Sequence, residues 1–103
     1  MAGKVNSMVR RSLDSLVEAD SMLARAVILS DDEVDEMRDQ IFAMVMGEVR
    51  RDNERLEQWV QLLAATRDLE RIADLATNIA QEVIYLVEGD VVRHQKVSSP
   101  KNE

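Results

Sequence analysis

At 103 residues, with 46% apolar and 32% charged side chains, the chain has the composition of one globular domain and is too short for two. Thirteen basic residues stand against 20 acidic ones, a formal net charge of −7 at pH 7 that repels phosphate backbones and argues against nucleic-acid binding. The absence of cysteine removes disulfides, thiolate chemistry and Cys-based metal sites, and no uncharged run approaches the roughly 18–20 residues that span a bilayer.

Met1-Ala2-Gly3-Lys4 leads into no continuous apolar run, so it reads as neither a signal peptide nor an anchor, and a cytoplasmic location is expected. From Val5 onward Val9, Leu13, Leu16, Leu23 and Val27 recur at helical spacing, which predicts helix one over Asn6–Leu29. Ser30, with Glu33 three residues later, has the form of a capping box for helix two, and Asp31 and Asp32 suit the positive end of a helix dipole. Val34, Met37, Ile41, Met44 and Val45 supply that helix's apolar face. Gly47 weakens it, and an end near Arg51 is expected before the break at Arg51-Asp52-Asn53.

Asp52 or Asn53 can cap helix three, which runs to Glu88 and is closed by Gly89 in a left-handed C-cap. Residues 95–103, with Pro100, have neither periodicity nor apolar mass and are expected to fray from a domain spanning 1–94. Two short connections between three helices predict an all-α fold, an antiparallel up-down-up three-helix bundle.

Leu62, Leu69, Ala73, Ala76, Ala80 and Val83 form one arc of helix three, and Ile72, Leu75 and Ile79 widen it beyond what two neighbouring helices cover. Such an excess marks an association surface, most simply for a second copy of the chain, with the alanines permitting close approach at that seam or inside the bundle. Beside the arc, Glu70, Asp74 and Asn78 stand four residues apart on one face. Two carboxylates at that spacing repel and ask for a cation, for which Arg67 and Arg71 lie within a turn. Asp31 and Asp35 repeat the spacing on helix two. Asp20 fills a gap in helix one's apolar series, where it must be solvated, hydrogen-bonded or near a cation. If the two pairs faced each other they would offer oxygen ligands to a hard ion such as Mg, Mn or Fe. His94 reads as a surface residue.

Arg67-Asp68-Leu69-Glu70-Arg71-Ile72-Ala73-Asp74-Leu75-Ala76-Thr77-Asn78-Ile79-Ala80, followed by Glu82-Val83-Ile84-Tyr85-Leu86-Val87-Glu88-Gly89, closely resembles the PhoU family of phosphate-specific transport regulatory proteins. The resemblance extends to Asp20 and Ala24 and to Asp31-Asp32-Glu33-Val34-Asp35. It implies one three-helix repeat of the C-terminal kind, in a family usually built from two. It also implies acidic metal motifs falling on Glu70, Asp74 and Asn78 and on Asp31 and Asp35, with Asp20 nearby. Leu75 stands where the family often has histidine and Gln81 where it often has glutamate, departures that would weaken or narrow an ion site.

The function this resemblance implies is negative regulation of phosphate uptake and phosphate-starvation signalling, through contacts with the transporter's ATPase subunit and the phosphate sensor histidine kinase. A homodimer would then stand in for the second repeat. No Ser-His pair, Cys-His pair or Gly-rich phosphate loop is present, so binding rather than turnover is the expected mode. Two alternatives stay open at this point: a metal-free helical adaptor or dimerisation module, and a carboxylate-metal enzyme. The Glu-x-x-His motif of di-iron bundles is missing from the latter.

Overall fold

A computed structural model describes the backbone of residues 1–98 and the side-chain surroundings of residues 1–89. Among the described residues the chain is all-α: α1 spans Ala2–Glu18, α2 Ser21–Arg51 and α3 Leu56–Ser98. The three run up, down and up in a rod of 73 × 22 × 16 Å, as the short connections require. None of the helices described is long and apolar enough to cross a membrane.

The first turn falls ten residues earlier than the periodicity predicts. Asp20, not Ser30, caps α2: its carboxylate accepts from the Leu23 N–H at 3.0 Å. This contact is of the kind worth about 1 kcal/mol. α1 ends in a Schellman arrangement, with the Asp20 N–H donating to the Ser15 carbonyl at 2.9 Å and Ala19 in the left-handed region at φ 53°. Alanine pays a steric penalty there that glycine does not. Ala19→Gly is expected to stabilise the fold by about 1 kcal/mol, read as a higher urea midpoint with an unchanged slope.

Ser30 lies inside α2, so the capping box is not formed. Its hydroxyl donates to the Ala26 carbonyl at 3.1 Å and accepts from the Arg11 guanidinium at 2.9 Å, tying α1 to α2. Lys4 and Glu33 make a second tie, and the Lys4 hydrogen bond holds the Glu33 carboxyl below its usual range. α2 ends at Arg51 as predicted, and a Cβ at Gly47 would meet only open space, so no backbone approaches there. Asp52 accepts from the Glu54 N–H at 3.0 Å and turns the chain into α3. That helix continues through Gly89, correcting the predicted closure, and includes residues 95–98 of the predicted frayed segment. Residues 99–103, with Pro100, lie outside the described residues, as do the side-chain surroundings of His94.

The core consists of Val5 and Met8 from α1, Ala24, Val27 and Val34 from α2, and Ala73, Ala76, Ala80 and Val83 from α3. Apart from Met8 none of these is larger than valine, which lets the helices pack closely. Ser12 and Ser15 are also fully buried, their hydroxyls bonded to α1's own carbonyls at Val9 and Ser12. The buried face of α1 is therefore Val5-Met8-Ser12-Ser15, turned from the predicted Val9-Leu13-Leu16 face. Self-satisfied serines can be buried without a penalty from unpaired hydroxyls. The alanine arc of α3 is spent inside the bundle, not on an association seam.

Candidate functional site

The carboxylates singled out by spacing gather where α2 and α3 run antiparallel. Glu70, half-buried on α3, is met by Arg38 of α2, whose Nη1 lies 2.7 Å from Glu70 Oε2. Arg38 also reaches Asp39 at 3.1 Å and Asp35 at 3.6 Å. The hydrogen bond to Glu70, then that to Asp39, hold the guanidinium charge above its already high affinity for the proton. Arg38 is thus the compensating cation, a role the sequence assigned to Arg67 and Arg71. Arg71 instead stands 3.9 Å from Asp68, and Arg67 lines a shallow hollow with Arg38, Phe42, Leu63, Thr66 and Glu70. Arg38 carried no signal along its own helix, because its main partner is 32 residues away.

Two turns from Arg38 along α2 lies the least satisfied group of the site. Asp31 Oδ1 is shielded from solvent and has no hydrogen-bond partner among the described residues. Burial, then repulsion from Asp35, Asp74 and Asp32, raises the Asp31 carboxyl from its ordinary value of 3.8, and Arg38 only partly offsets this. Asp31 and Asp35 of α2 and Asp74 of α3 therefore share one acidic surface. Asn78, one turn beyond Asp74, is exposed, and about 40° per step turns it away from α2. Asp20 sits at the distant α1–α2 turn, occupied as a helix cap.

A carboxyl whose folded affinity for protons exceeds its unfolded one opposes folding when ionised. That opposition is present above the raised value and vanishes as pH falls below 3.8. Asp31→Asn is thus expected to raise thermal stability at pH 7, by an amount on the order of 0.5–1 kcal/mol, with the gain lost in acid. Calorimetry across pH checks both the sign and the disappearance.

As a metal centre the arrangement is incomplete. Among the described residues no three His, Cys, Asp or Glu side chains are grouped to hold an ion. Glu70 is engaged by Arg38, and Asp20 lies elsewhere. What the site presents is a file of carboxylates organised by one arginine, with an unpartnered acidic oxygen at its centre.

Residues 1–83 match the PhoU domain, and the chain belongs to the PhoU family. It is 37% identical over 89% of its length to the phosphate-specific transport system accessory protein PhoU homolog of Clostridium acetobutylicum, covering 42% of that protein. To the homolog of Aquifex aeolicus it is 39% identical over 94% of its length, covering 44% of that chain. To that of Pseudomonas aeruginosa it is 34% identical over 100%, covering 43%. The chain spans less than half the length of the curated relatives it matches.

Proposed function

We propose that this chain regulates phosphate transport and phosphate-starvation signalling at the cytoplasmic face of the membrane, by binding other proteins rather than by catalysis. The family supports an accessory role in a phosphate-specific transport system. The observation that carries the mode of action is the α2–α3 acidic surface, where Asp31 keeps an unpartnered oxygen among Asp35 and Asp74. A basic surface docked there would supply the hydrogen bonds and charge that Asp31 lacks, and would bias the conformation of the partner that presents it.

The partners proposed are the ATPase subunit of the phosphate transporter and the phosphate sensor histidine kinase, engaged by a homodimer of this chain. Capture of each purified partner by immobilised wild type and by an Asp31→Asn/Asp74→Asn variant tests the reading. Binding that weakens with salt and falls at least about 10-fold in the variant is expected. Equal capture by both forms, or none by either, would overturn it.

The same unpartnered oxygen supports a second reading, in which a hard divalent cation, Fe, Mn or Mg, adds to the charge of Arg38. Asp31, with Asp35 or Asp74 beside it, would hold it, and it would supply electrostatic bridging to a partner. Because the described residues form no complete ligand set, the cation would draw its remaining oxygens from water or from the partner. Metal analysis of the purified protein, with titration of wild type and variant, tests this separately from docking.

A further inference from the structure

With α1 turned onto its serine face, Leu13 and Leu16 are exposed and Val9 is half-buried at the edge of the core, beside α3. Ala2, Val5, Asn6 and Val9 border the same hollow as Leu69 and Ile72, so the two helices meet edge to edge here. The exposed apolar side chains along this edge follow a seven-residue repeat. On α3, Ile72, Ile79 and Leu86 form one file, and Asp68, Leu75 and Glu82 form the next file outward. On α1 the corresponding files are Val9 with Leu16 and, further out, Arg10 with Val17, with Leu13 between them.

Leu75 is 61% exposed, Leu86 54%, Leu16 48%, Leu13 47% and Ile72 41%. With Val17 and the half-buried Val9 and Ile79, these fractions leave on the order of 600 Å² of apolar surface in water. That is at the upper limit for a monomer's largest patch and, with its polar rim, near the ~800 Å² per partner of a stable dimer.

The rims carry opposite charge. Arg10 flanks the α1 side and Glu82 the α3 side, both exposed and neither in an ion pair among the described residues, and Asp68 joins Glu82 on the α3 rim. We propose that two copies of this chain pair through the α1–α3 face about a two-fold axis running along the bundle. That axis sets α1 of each copy against α3 of the other. Val9, Leu13 and Leu16 then pack along the Ile72, Leu75, Ile79 and Leu86 edge of the second copy, and Arg10 lies on the side of the second copy's Glu82. An axis across the bundle would instead oppose like rims. The pairing leaves the acidic α2–α3 surface free, so it deepens the homodimer reading above and rests on it.

Sedimentation equilibrium of the full chain, with circular dichroism as the folding control, tests the pairing. A wild-type dimer is expected, with Leu75→Glu monomeric and fully helical. Arg10→Glu should weaken association at least about 10-fold, and Arg10→Glu/Glu82→Arg should restore most of it. A dimer that persists in both Leu75→Glu and Leu16→Glu overturns this face while leaving a homodimer in place. A wild-type monomer at every concentration overturns both. Neither result bears on partner capture by the acidic surface, which is measured with the variants of that surface.

Discussion

Ala76→Glu is expected to abolish cooperative folding rather than to alter assembly. Ala76 is 1% exposed and lies between Ala73 and Ala80 in the part of α3 that meets the core residues of both other helices. The substitution adds four heavy atoms beyond the methyl, and a charge, to a buried site. Overpacking and an uncompensated buried charge each cost several kcal/mol, and together they rival the whole stability of a domain this size. Thermal scans should show no two-state transition, whereas Leu75→Glu, one residue earlier on the helix and 61% exposed, should stay folded and unfold cooperatively. A cooperative, near-normal transition for Ala76→Glu would show that the alanine arc does not form the interior.

The second large effect is expected from Arg38→Met. The methionine keeps much of the stem but removes the guanidinium that serves Glu70, Asp35 and Asp39. Glu70 would lose the partner at 2.7 Å that justifies its half-buried position, and the repulsion already felt by Asp31 would lose the offset that the Arg38 charge supplies. The variant should melt several degrees lower than wild type at low ionic strength, and added salt or Mg²⁺ should recover part of the loss by screening or occupying the carboxylates. The double variant Arg38→Met/Asp31→Asn should lie between the two single variants. Loss of stability that is indifferent to salt, to Mg²⁺ and to Asp31→Asn would show that Arg38 acts through packing alone.

The long periodic signal of α3, the break at Arg51-Asp52-Asn53 and the three-helix order were legible in the sequence because each rests on local pattern. The α1–α2 turn was not. Ala19 is a strong helix former placed where the backbone is left-handed, and Asp20 reads as an interruption in an apolar series although it is a cap. Ser30 with Glu33 offered the stronger capping pattern, but Arg11 on another helix claims the Ser30 hydroxyl. Nor could apolar periodicity locate the buried face of α1, since two of its members are serines whose hydroxyls are satisfied within the helix.

In the candidate site, the shared faces of Asp31 with Asp35 and of Glu70 with Asp74 follow from four-residue spacing alone. Which of them are paired does not. Arg38 lies on the helix opposite Glu70 and Asp74, and only the register of α2 against α3 places it on Glu70 rather than on Asp74. The same register leaves Asp31 Oδ1 without a partner, a property no periodicity encodes.

Hydrogen exchange with and without the purified transporter ATPase subunit probes the docking surface most directly. Slowed exchange in the stretches 31–38 of α2 and 70–78 of α3, absent in the Asp31→Asn/Asp74→Asn variant, is the expected result. Slowed exchange confined to the Leu13, Leu16 and Leu75 edge, or no change anywhere, would contradict the assignment of the acidic surface as the place where this domain meets its partner.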